Sequence, residues 1–237
     1  MNDDTRKLVL NAGCGTMRAG NLPVGFAPEQ WREVRLDVDP QTNPDIVGTF
    51  ADMRGLVPDA QFEAIYSSHA IEHLYAHEVI PALREFVRVL KPDGFALLTC
   101  PDLAAIAGHL LKDGSEAIAY QSPAGPIRPI DMLFGHSEAI ANGRTWMAHR
   151  TGFTAPRLAR VALASGFREV RIMEGPHFDL WAVALGAQAV VEPIAAQFAG
   201  TTLAALFAPA AVHAEAPVRG AGAAAAEDPH AEVHAPG

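Results

Sequence analysis

Cysteine is scarce in this chain of 237 residues, which holds only Cys14 and Cys100. Two thiols so far apart do not make a disulfide framework, and the chain is expected in a reducing compartment. An excess of basic charge is also missing: the formal net charge is -9. That argues against sequence-independent nucleic-acid binding, which needs a basic surface to neutralise phosphates. No apolar signal region precedes the first strand-like run, so export is not expected and the cytoplasm is. Charge itself is absent from Pro193 to Ala214. That run is long enough to span a bilayer, but it is mostly alanine with interspersed polar residues, too weakly apolar for a membrane span. It reads instead as a terminal helix, over 191–208, that docks on the domain or on a second copy in a homodimer.

Hydrophobic residues make up 49% of the chain, enough for a packed interior. Lys7–Asn11 reads as a buried strand that enters a glycine-rich turn at Gly13-Cys14-Gly15. Further strands are expected at Arg32–Asp37, Asp45–Phe50, Phe62–Ser67 and Phe95–Thr99. Helical spacing of Val79, Ile80, Leu83, Phe86, Val87 and Leu90 predicts a helix over His77–Leu90, stopped by Lys91-Pro92-Asp93-Gly94. Helices are also expected at Leu103–Leu111 and Thr154–Ser165. Val170–Met173 and Phe178–Leu185 read as a closing antiparallel strand pair. Strands alternating with helices predict an α/β, doubly wound, mostly parallel sheet. The few residues between the second and third strands are too short for an ordinary crossover helix. Residues 113–150 are irregular and read as an insertion covering the substrate, and 209–237 as a disordered Ala/Pro/His tail.

Two short motifs bear chemistry. A glycine turn after a strand, Asn11-Ala12-Gly13-Cys14-Gly15-Thr16-Met17, lets a ligand approach the backbone. About twenty residues on, Leu36-Asp37-Val38-Asp39-Pro40 ends a strand in acid, which can accept hydrogen bonds from a ribose.

Together with Phe62–Leu74 (Phe-Glu-Ala-Ile-Tyr-Ser-Ser-His-Ala-Ile-Glu-His-Leu) and Arg88-Val-Leu-Lys-Pro-Asp-Gly94, these motifs resemble the class I S-adenosylmethionine-dependent methyltransferases, in particular the type 11 group. The likeness runs from about residue 7 to residue 186. It implies a Rossmann-like methyltransferase domain over 1–190, S-adenosyl-L-methionine as cofactor, and a small-molecule or glycan acceptor. Carried over residue by residue, Asn11, Gly13, Cys14 and Gly15 form the floor under the cofactor's methionine part. Asp37, with Asp39 as competitor, takes the ribose. Asp52 takes the adenine amino group beside Met53. Ser67, Ser68 and His69 face the methyl-donor end. The chain departs from the family at Asn11, where an acid is usual, and at Met17, where a third glycine is common.

The acceptor side is read from residue type alone. Tyr120, Arg128, Asp131, Arg144 and Arg150 are candidate substrate contacts. His69, His136 and His149 are candidate bases, because imidazole titrates in the useful range. His69, His73 and His77 are spaced to share one helix face. His69-x-x-Glu72-His73 is similar to the Glu-x-x-Glu-His metal motif of small-RNA and ubiquinone-pathway O-methyltransferases, with His136 or His149 to complete it. A metal-dependent O-methyltransferase is therefore the alternative, and a cofactor-binding module without catalysis is a third reading. In the leading reading the site uses no metal.

Overall fold

The computed structural model describes residues 5–16, 20, 22–122, 125–208 and 212–215. Strands β1 (Lys7–Ala12), β2 (Trp31–Asp37), β3 (Ile46–Val47) and β4 (Phe62–Ser68) come first. Helix α1 (Val79–Val89) leads into β5 (Leu90–Pro101), and α2 (Leu103–Asp113) follows. The insertion then folds as a hairpin, β6 (Tyr120–Ser122) and β7 (Gly125–Ile127), and two short helices, α3 (Pro129–Phe134) and α4 (Ser137–Ala141). Helix α5 (Ala155–Ser165), strands β8 (Glu169–Glu174) and β9 (Asp179–Leu185), helix α6 (Val191–Gln197) and strand β10 (Val212–Glu215) follow among the described residues.

The main sheet has the order β10-β8-β9-β5-β4-β1-β2-β3. Its β3-β2-β1-β4-β5 half is parallel. The closing pair β8–β9 is antiparallel, as expected, and β9 also runs antiparallel to β5. Strand alternation divides the core between two faces. Leu10, Ile65, Ala96 and Leu98 face α1 and α5, where Leu83, Phe86, Leu158 and Ala162 pack. Val9, Ala64, Tyr66, Phe95, Leu97 and Val183 face the other way, against Phe26, Trp31, Ile194 and Phe198. β5 is thus covered on both sides, which explains its unbroken apolar run.

Several expectations change. β3 is two residues long, and a single 3-10 turn, Pro40–Thr42, replaces the crossover helix before it. Among the described residues between β1 and β2 there is no helix either. The second face is closed from the far end of the chain instead, by α6 and the 3-10 turn Thr202–Phe207. The expected docking helix is therefore two short pieces, broken at Gly200, and its apolar residues are buried in the domain's own core. The Lys91–Gly94 segment ends α1 but already belongs to β5, where Leu90 pairs with Phe62 before the register shifts. Residues 212–215, placed by composition in a disordered tail, pair with β8; 209–211 and 216–237 lie outside the described residues. No helix among the described residues is long and apolar enough to cross a membrane.

Candidate active site

A cleft of about 490 Å³ opens at the carboxyl ends of β1, β2 and β4. This is where open α/β sheets bind ligands, because the connections there diverge to opposite faces. One wall is the β1 turn. Gly13 and Gly15 adopt φ of 73° and 53°, which glycine reaches without strain. A Cβ on Gly13 would come within 2.7 Å of the Ala70 Cβ, whereas one on Gly15 would meet nothing within 4 Å. Gly13 is therefore needed for close packing, and Gly15 keeps backbone open to the cleft. The Gly13 and Cys14 N–H groups both donate to the Leu36 carbonyl, at 2.8 and 3.1 Å, which ties the turn to β2. Burial pushes the Cys14 thiol above its usual range, so it stays protonated beside the cleft.

The next wall section is the end of β2. Asp37 is 8% exposed, and its two oxygens accept one backbone N–H each, from Gly15 at 2.7 Å and Asp39 at 2.9 Å. Each carboxylate oxygen has capacity for another donor. Asp39 is partly committed elsewhere, since its Oδ1 caps the 3-10 turn by accepting from the Gln41 N–H. Between them Val38 is 50% exposed, an apolar side chain presented to the cleft. Thr49, Phe50 and Ala51 continue this wall.

The opposite wall follows β4. Ser68 shares a hydrogen bond with the Thr99 hydroxyl at 3.1 Å. His69 has φ 47°, its N–H donates to the Thr99 carbonyl at 3.0 Å, and its half-exposed ring lines the cleft. Ile71–His73 is one 3-10 turn, and Glu72 within it is 1% exposed. His73, Leu74 and Glu78 line the cleft beyond it, and Arg144, Trp146, Met147 and Arg150 close over from the insertion. The Arg144 side chain is exposed, while Arg150 donates to the His73 carbonyl at 3.1 Å and sits 4.8 Å from the Tyr75 ring centre. Burial alone would raise Glu72, but His69, 3.4 Å away, chiefly outweighs that and holds its carboxyl below the usual range. Burial likewise works against a charged His69, but Glu72, 3.4 Å from its Nδ1, outweighs that and raises it. Burial pushes His149 down.

Of the residues expected to bind cofactor, Gly13, Cys14, Gly15, Asp37, Asp39 and Ser68 line the cleft. Four do not. Asn11 is buried and donates to Glu33 Oε1 at 2.7 Å, which commits its amide to β2 and not to the cleft. Asp52 turns outward to a two-bond pair with Arg54, at 2.8 and 2.7 Å, which holds its carboxyl at about 2. Met53 is fully buried in the core, with its N–H given to Glu85. Ser67 is fully buried and donates to the Ala12 carbonyl. Met17 lies outside the described residues.

On the acceptor side, only His69, Arg144 and Arg150 reach the cleft. Arg128 pairs with Asp131 and Glu116 and anchors α3, so both Arg128 and Asp131 are structural. His136 caps α4, its Nδ1 accepting from the Ala139 N–H. Tyr120 lies beside His177, away from the cleft. His69, His73 and His77 do not share a helix, because α1 begins only at Val79. His149 lies just behind His73, with ring centres 4.9 Å apart. Val38 and Trp146 are cleft residues that residue type did not single out.

Residues 10–98 match a family model described as a methyltransferase domain. This segment is similar to the methyltransferase domains that the model describes. Among solved structures, a protein from Pyrococcus horikoshii is 14% identical, with a TM-score of 0.52 over 78% of this chain and 84% of that one. A SAM-dependent methyltransferase from Archaeoglobus fulgidus is 14% identical, with a TM-score of 0.51 over 76% and 86%. A putative S-adenosylmethionine-dependent methyltransferase from Listeria monocytogenes is 14% identical, with a TM-score of 0.51 over 78% and 92%. At these identities the likeness is one of fold. No curated protein matches the chain.

Proposed function

We propose that the protein transfers a methyl group from S-adenosylmethionine to an anionic small molecule or glycan unit. The observation that carries this reading is the cleft itself. It joins an open glycine turn and a strand-end acid on one side to a histidine and two arginines on the other. The cofactor's ribose belongs against Asp37, which faces the cleft with spare acceptor capacity. Its adenine belongs between Val38 and the Thr49–Ala51 segment, and its methionine part over Gly13–Gly15. When bound, it supplies a sulfonium methyl, which leaves sulfur as a neutral thioether once an acceptor lone pair takes it.

The protein's part is alignment, since the leaving group is already good. Arg144 and Arg150 draw a negatively charged acceptor to the mouth, and arginine suits carboxylate or phosphate by its planar fork. Trp146 and Met147 cover the acceptor and exclude water. His69 orients the acceptor's nucleophilic atom or takes its proton.

Calorimetric titration with S-adenosylhomocysteine tests the cofactor side. Wild type should bind one molecule, and Asp37→Ala should bind about 10- to 100-fold more weakly, the worth of lost bonds to a charged acceptor. Equal affinities would overturn the assignment of this cleft. Methyl transfer from labelled cofactor to an anionic metabolite pool tests the acceptor side. Binding without transfer to any pool would favour a module without catalysis.

A further inference from the structure

Behind His69, next to the cleft, lies a cluster that methyl transfer alone does not use. Glu72, His73 and His149 place one ligand atom each within 4.8 Å of one another. Glu72 is 1% exposed, yet neither of its oxygens accepts a hydrogen bond from any described residue. His69 Nδ1 and His149 Nε2 stand off at 3.4 and 3.9 Å from Oε1, near enough to feel its charge but not aligned to donate. A buried carboxylate left without donors is costly unless a positive charge sits against it; His69 supplies one when protonated, and a bound cation would supply another.

The two rings are set in matching ways. His73 Nδ1 lies 3.2 Å from the Ala148 carbonyl, and His149 Nδ1 lies 2.9 Å from the Met132 carbonyl. A carbonyl only accepts, so each Nδ1 carries the hydrogen. Each Nε2 is left with its lone pair, the state in which imidazole binds a metal. An outer carbonyl that fixes ring and tautomer in this way accompanies most metal-bound histidines. The backbone holds the partners together as well. The Arg150 and Thr151 N–H groups donate to the Glu72 carbonyl at 2.8 and 3.2 Å, pinning the segment that carries His149 to the turn that carries Glu72.

We infer that Glu72, His73 and His149 bind one divalent transition-metal ion of the zinc class. Two imidazoles and one carboxylate form a donor set for Zn²⁺ and its neighbours, and three protein ligands leave a further position for an oxygen ligand. His73 lines the cleft, whereas Glu72 and His149 line a separate small cavity behind it. Metal bonds of about 2.0–2.2 Å bring ligand atoms to roughly 3–3.5 Å apart, so the side chains close by about an ångström on binding. An acceptor hydroxyl held on such an ion is positioned and made more acidic. This extends the proposed function towards an oxygen acceptor, but the metal site itself stands independently of that reading.

The test uses the full chain, stripped with chelator and dialysed. Titration with Zn²⁺ should show one tight site per chain, and Co²⁺ should give visible bands of a nitrogen–oxygen site. Glu72→Gln and His149→Ala should each weaken binding by about 100-fold or more, while His77→Ala does not. His149→Gln keeps the side-chain volume in case the alanine variant misfolds, with near-ultraviolet circular dichroism to check folding. Zn²⁺ should raise the unfolding midpoint of wild type and not that of the folded His149 variant. No Zn²⁺ uptake by wild type, or equal uptake by the His149 variants, would overturn the site. S-adenosylhomocysteine binding is measured alongside: its loss in wild type would remove the proposed function and leave the metal result untouched.

Discussion

The two walls of the cleft are built by different means. The wall of Gly13–Thr16, Val38 and Asp37 is short-range and largely backbone: one acid receives the N–H groups of Gly15 and Asp39, and the Leu36 carbonyl receives two more. The wall of His69, His73, Arg144 and Arg150 joins side chains more than seventy positions apart, through a 3-10 turn and the last stretch of the insertion. The first can be laid down once and kept for any acceptor. The second depends on side chains that only the folded insertion brings together.

Four variants sharpen or break that contrast. The largest effect is expected for His149→Gln, which should cut Zn²⁺ affinity by about 100-fold or more and leave S-adenosylhomocysteine affinity within about two-fold. If both ligands were lost together, the walls would not be separate. Next, Asp37→Ala should weaken S-adenosylhomocysteine by about 10- to 100-fold while Zn²⁺ binding persists. Smaller again, replacing both Arg144 and Arg150 by alanine should raise KM for an anionic acceptor by about tenfold without changing S-adenosylhomocysteine affinity, since both charges sit at an exposed rim. An unchanged KM would take the arginines out of recognition. The smallest is Ser67→Ala, beneath both walls. Losing its bond to the Ala12 carbonyl should cost about 1 kcal/mol in urea unfolding and alter neither ligand.

Legibility in the sequence follows the same division. β1, β2, β4, α1, β5, α2, α5 and the closing pair are readable because their apolar residues either repeat with the element's period or, in β5, form the unbroken run of a strand buried on both faces. Gly13, Gly15 and Asp37 are readable because a turn and a strand end need them locally. The insertion hides its structure, because three-residue strands and five- or six-residue helices are too short to show a period. Asp52 misleads for a local reason: Arg54, two residues on, turns it outward, so the wall ends at Ala51. His136 and Arg128 misleadingly suggest chemistry where they cap or anchor short helices. His149 becomes a neighbour of Glu72 only because the Arg150 and Thr151 N–H groups find the Glu72 carbonyl, a pairing no spacing rule foretells.

The face of the sheet opposite α1 and α5 has a consequence for how the protein is made. Its aromatic layer, with Phe26, Trp31 and Phe95 in place early, is completed by Phe198, whose ring centre lies 5.8 Å from that of Phe26 and 6.0 Å from that of Phe95. Trp31 and Phe95 leave the ribosome long before their cover does. Until the segment through Phe207 has been synthesised, half of the parallel sheet has an uncovered oily side, at the stage when nascent chains stick to one another or to chaperones. A premature stop after β9 would therefore leave the whole cleft encoded and the sheet beneath it half-covered.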